Sequence, residues 1–129
     1  MSSGPGIEPY AVRLVLEGEV PDPGRAIGDL IADIAQRCER HGATLIGHIK
    51  CHARSASGSF HCSLTSVRTG VDCAGDTAAL LGPAGRIDVD LAILVPGLDR
   101  RTIDALAREA MESASASGSF DCTPTSNCH

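Results

Sequence analysis

Hydrophobic and polar positions alternate along Tyr10–Val20: Val12, Leu14 and Leu16 fall on one side, Arg13, Val15 and Glu17 on the other, which predicts a strand. "PDPG" then reads as a turn, with Asp22 as a helix N-cap and Pro23 at the first helical position. From Gly24 to His41 the period changes to that of a helix, with Ile27, Leu30, Ile31, Ile34 and Cys38 on one stripe. Arg37 and Arg40 suit its C-terminal dipole and Gly42 stops it. Cys38, on the apolar stripe, is expected as a small buried hydrophobe.

"ATLIGHIKCH" (43–52) and "SFHCSLTSV" (59–67) predict a second and a third strand, joined by an "ARSASG" hairpin loop. Residues 70–85 read as an irregular connection with a short helical turn at Thr77–Leu81. "RIDVDLAILV" (86–95) is the plainest strand, and its doubly apolar far end places it centrally in a sheet. Asp99 caps a second helix over Arg100–Ser113, with Ile103, Leu106, Ala107, Ala110 and Met111 as its buried stripe.

The tail is low in complexity and carries an echo. "SASGSFHCSLTS" at Ser55–Ser66 returns as "SASGSFDCTPTS" at Ser115–Ser126, which allows a last strand over Gly118–Cys122, ended by Pro124. The order β-α-β-β-β-α, with this added strand, predicts an α+β two-layer sandwich: one mostly antiparallel sheet with both helices on one face. The expected organisation is a flexible arm over 1–8, one domain over 9–113 and a Ser/Cys-rich tail over 114–129.

"VRLVLEGEVPDPGRAIGDLIADIAQRCERHGATLIGHI", from Val12 to Ile49, is similar to the opening of small ligand-binding ACT-type domains: strand, Pro-Gly turn, helix, strand. That resemblance implies a regulatory ligand-binding role. The Arg86–Val95 strand departs from that plan.

The predicted sheet leaves one face uncovered, and alternation decides what lines it. A one-residue slip would turn His61, Ser63 and Thr65 into the core, so Ile49, Cys51, Cys62 and Leu64 belong inside. His48, Lys50, His52, His61, Ser63 and Thr65 then line the open face. Cys51, His52, His61 and Cys62 resemble a Cys₂His₂ zinc set, but in a regular hairpin their thiols and imidazoles point to opposite faces.

The imidazoles alone do better. A symmetric loop puts His52 opposite His61, with Cβ atoms ~5 Å apart, close enough to share a zinc, nickel, cobalt or copper ion. His48 lies roughly 13 Å along the strand from His52 and can only assist. A third ligand is expected from Asp88, Asp90, the terminal Cys128–His129 or a second copy of the chain. Cys51 opposite Cys62 is also a candidate redox pair. Arg54, Ser55, Ser57 and Ser59 form a candidate anion-binding loop through backbone N–H groups and one guanidinium.

Composition narrows the classes. The formal charge is −5, Lys50 is the only lysine, and aromatic residues make up 2% of the chain. A nucleic-acid partner is not expected, because such proteins present a basic face with aromatic platforms. No stretch approaches the ~20 apolar residues of a membrane span. The first residues lack the basic and apolar regions of a secretory signal, so a cytoplasmic protein with its six cysteines as thiols, thiolates or ligands is expected. The reading that follows is a metal-binding accessory or storage protein, more than an enzyme. It would pair as a homodimer through an open face flanked by Val15 and Leu94. The alternative is a regulatory or interaction module for a small organic ligand or a protein partner, without metal.

Overall fold

The computed structural model describes residues 9–56, 58–75, 84–117 and 120–127. The expected arm (1–8), Ser57, the turn at Thr77–Leu81, and Cys128 with His129 lie outside these residues. The elements run β1 (Tyr10–Val20), α1 (Pro23–Arg40), β2 (His48–Ser55), β3 (Gly58–Leu64), β4 (Val71–Gly75), β5 (Ala84–Leu94), α2 (Arg100–Ser117) and β6 (Phe120–Asn127). The strands form one antiparallel sheet in the order β4-β3-β2-β5-β1-β6. The fold is the expected α+β two-layer sandwich.

The connectivity has a simple logic. β1 and β2 both flank β5 antiparallel, so they are parallel to each other, joined through α1 with β5 between them. β5 and β6 stand in the same relation around β1, joined through α2. Two split β-α-β units interleave, as in ferredoxin-like folds, and the β3–β4 pair extends the sheet beyond β2.

The helices form where capping and periodicity place them. The Asp22 carboxylate accepts the Arg25 N–H at 3.1 Å, and Asp99 accepts the Thr102 N–H at 2.8 Å. The expected stripes of both helices are buried and close on the inward side chains of the strands, Leu14, Leu16, Ile49, Phe60, Leu64, Ile87 and Ile93 among them. Among the described residues the core is mostly aliphatic, with the Phe60 ring fully buried in it. Tyr10 hangs at its edge and donates its hydroxyl to Asp104 of α2.

Several boundaries differ from expectation, each for a physical reason. β2 starts at His48 rather than Ala43, because its partner β5 ends at Leu94, opposite His48. Gly47 permits that entry: a Cβ there would lie 2.6 Å from the Leu94 carbonyl oxygen. β3 ends at Leu64, where its partner β4 runs out, and Ser66–Gly70 closes a turn through Gly70 N–H to Ser66 C=O. The connection expected to be irregular contains the edge strand β4. It ends at Gly75, at φ +136°, where a Cβ would meet the Phe60 Cα at 2.8 Å.

α2 runs on to Ser117 instead of stopping at Ser113, and its last turn holds the returning chain: Cys122 N–H donates to Ser115 Oγ at 2.8 Å. The last strand exists, and Pro124 does not end it. Among the described residues β6 pairs only with β1, so the missing N–H of Pro124 sits on a sheet edge, beside a register shift at Arg13/Leu14. Both copies of the echoed segment therefore contribute a strand, and both put their cysteine, Cys62 or Cys122, into the core.

Candidate functional site on the open face of the sheet

The alternation predicted for the hairpin is the alternation found. Ile49, Cys51, Cys62 and Leu64 are buried, while His48, Lys50, His52, His61 and Ser63 take the other face. Thr65 is exposed just past the end of β3. Register then draws one row across four strands: His61, His52, Asp90 and Arg13, from β3, β2, β5 and β1.

His52 and His61 are directly opposite, their rings stacked with centroids 4.5 Å apart and planes 19° from parallel. Asp90 is the acid beside them. Arg13 Nε donates to its Oδ1 at 2.7 Å, and Arg54 Nη1 donates to its Oδ2 at 3.0 Å. The Arg13 hydrogen bond, with Arg54 adding to it against partial desolvation, holds the Asp90 carboxyl below the ordinary aspartate range. Arg54 Nη1 also lies 3.1 Å from His52 Nδ1. A guanidinium only donates, so this contact needs a bare Nδ1 and puts the His52 proton on Nε2.

This geometry bears on the expected metal ligands. Ring nitrogens bind ions in the plane of the ring. Two stacked rings aim their lone pairs side by side rather than at one point, and one of the four nitrogens is held by Arg54. Asp90 is spanned by two guanidiniums, and Asp88 pairs with Arg86 at 3.0 Å. His48 stands opposite Leu94, away from the pair. Cys128 and His129 lie outside the described residues. Among the described residues, no group of three or more His, Cys, Asp or Glu side chains is placed to hold a metal ion.

Arg54, expected in the candidate anion loop, turns its guanidinium to Asp90 and His52, and Ser57 of that loop lies outside the described residues. The strands also run further than expected, to Ser55 and Gly58, so Ser55 and Ser59 belong to the ladder. Cys62 has a different partner from the one expected: it is disulfide-bonded to Cys73 of β4, not paired with Cys51. The register of Cys51 opposite Cys62 is as expected, but β4 brings a second cysteine to the other side of Cys62. The expectation that all six cysteines are unoxidised falls with it. Cys38, Cys51 and Cys122 are free and buried, and burial pushes their thiols up to about 11, about 11 and about 12.

A depression of about 450 Å³ lies over the three central strands. Arg13, Lys50, His52, His61 and Asp90 surround it, and Ala11 and Ala92 floor it. Lys50 has no ion pair or side-chain hydrogen bond among the described residues. Small alanines on β1 and β5 leave the room; charged neighbours two positions along each strand wall it. Sequence reasoning missed Arg13 here, because only the β1–β5 register brings it to Asp90. Val15, expected to flank an apolar dimer surface, is buried among its own neighbours, and Leu94 is half-buried.

Comparisons with protein-family models, with curated proteins and with solved structures return no match. No helix of the described residues is long and apolar enough to cross a membrane.

Proposed function

We propose that the open sheet face binds a small organic anion, a carboxylate or a phosphate ester, and that the protein is a ligand-binding regulatory or interaction module. The depression over Ala11 and Ala92 carries this reading. Three cations, Arg13, Arg54 and Lys50, and two imidazoles stand at or beside it against one acid, Asp90, which Arg13 and Arg54 share between them. In a chain of net charge −5 this is a local reversal of sign, and it draws anions. Lys50 would supply the charge and His52 an Nε2–H donor. The cytoplasmic assignment belongs to the same proposal; there the Cys62–Cys73 bond would be a transient, regulated one.

A second reading rests on one observation, the register that sets His52 directly opposite His61; a metal would require the two rings to turn out of their stack. Two copies packed open face to open face would bring four imidazoles together and complete a zinc, nickel, cobalt or copper site as a homodimer.

Thermal melts of the parent and of Lys50→Ala, with acetate, succinate, citrate, inorganic phosphate or each of the four metal chlorides, separate these. An anion that raises the parent Tm and leaves Lys50→Ala unmoved supports the proposal, because a ligand stabilises only the state that binds it. A rise with metal that His52→Ala abolishes supports the second reading. No rise with any probe overturns both.

A further inference from the structure

The buried face of the same sheet carries a second row. Cys51 of β2, Cys62 of β3 and Cys73 of β4 are register partners across three adjacent strands, all on the helix-covered side. Cys62 and Cys73 are bonded, with Cα atoms 4.0 Å apart. Cys51 is a free, buried thiol directly opposite Cys62. Directly opposed strand residues lie ~4.5–5.5 Å apart at Cα, within the range a disulfide spans.

Strand order puts Cys51 and Cys73 on opposite flanks of Cys62. Thiol–disulfide exchange needs that arrangement, since the incoming sulfur attacks along the axis of the bond it breaks. We propose that Cys51, Cys62 and Cys73 form a thiol–disulfide exchange site in which the bridge moves between Cys62–Cys73 and Cys51–Cys62.

The step is balanced without an oxidant. Cys51 gives up its proton and its thiolate bonds to the Cys62 sulfur. The Cys62–Cys73 bond breaks, and Cys73 leaves as a thiolate that takes up a proton. Three sulfurs and one disulfide are present before and after. What changes is which thiol faces water: Cys51 is buried, whereas Cys73 is half-exposed on the edge strand. The shifted form therefore offers a reactive thiol at the sheet edge to small thiols, disulfides or alkylating agents, and unties β4 from β3. Burial of Cys51, whose thiol is pushed up to about 11, makes the exchange slow, on the minutes-to-hours scale of uncatalysed rearrangement. The row is on the opposite face from the anion depression, so this inference stands independently of the proposed function.

The test uses the whole chain, oxidised with glutathione disulfide and incubated with a maleimide at mildly alkaline pH without reductant, followed by peptide mapping of bridges and adducts. The expected product carries the maleimide on Cys73 and a Cys51–Cys62 bridge, and it stays at background in Cys51→Ser. A parent that retains only the Cys62–Cys73 bridge overturns the proposal, as does equal Cys73 labelling in Cys51→Ser. The parent's own bridge map decides the matter even where the variant fails to fold.

Discussion

Arg54 bonds the Asp90 carboxylate from the neighbouring strand at 3.0 Å, on the oxygen that Arg13 leaves open. Asp90 is thereby clamped between β2 and β1, and the clamp has a pH signature. Its carboxyl is held low in the folded chain, so the folded state binds its proton less readily than the unfolded state. The stabilisation is fully present above the unfolded value of about 4 and is lost as pH falls through the lower folded value. The groups are partly exposed, so about 0.5–1 kcal/mol is at stake. Urea unfolding of the parent and Asp90→Asn should differ by that amount at neutral pH and converge in acid. A constant difference across the acid limb would contradict the clamp.

Tyr10 offers a direct optical check on how β1 docks against α2. It is the only tyrosine, and the chain has no tryptophan. Burial, with the hydrogen bond to Asp104 adding to it, pushes its phenol up to about 12. Asp104 stays ionised because hydrogen bonds from Tyr10 and Arg108 outweigh its own desolvation. Phenolate absorbance should therefore stay absent through the ordinary tyrosine range near pH 10 and appear only towards 12 or on unfolding. The raised folded value means stability is intact below about pH 10 and falls as pH climbs from there to about 12. A phenolate titrating near 10 in the folded protein would show that the contact is not made.

The Cys62–Cys73 bond closes a short loop, at a sequence separation of 11. Loop-closure entropy assigns such a bond about 2–3 kcal/mol. Reduction with a phosphine should lower the unfolding free energy by that amount and speed amide exchange in Val71–Gly75 first, because among the described residues β4 has a strand neighbour on one side only. Unchanged exchange in β4 after reduction would mean that backbone pairing alone holds the edge.

Much of this was legible in local pattern. Alternation assigned Ile49, Cys51, Cys62 and Leu64 to the core and the histidines to the open face, because a strand's two-residue period leaves no other choice. Helical periodicity named both buried stripes. β4 was not legible: Val71 and Cys73 are its only apolar inward residues, between Gly70 and Gly75, and it is held by pairing with β3, by the disulfide and by packing of Val71 beside Gly28 of α1. Ser113–Ser117 reads as low complexity yet continues α2, since Ser115 gains a partner in Cys122 that only the returning strand supplies.

The site divided along the same line. His52 opposite His61 followed from a symmetric hairpin. The row that joins them to Asp90 and Arg13 depends on β5 lying between β2 and β1, an order that periodicity does not encode. The same order commits Asp90 to arginines, where the pattern alone had offered it as a metal ligand.

The most direct test of the open-face reading is an amide NMR titration of the parent and of Lys50→Ala with succinate, citrate and inorganic phosphate. Saturable shifts are expected with at least one of them at Ala11–Arg13, Lys50–His52, His61 and Asp90–Ala92, lost in Lys50→Ala. Shifts centred elsewhere, for example between α1 and α2 around Arg25 and Ala110, or no saturable shift with any of the three, would contradict it.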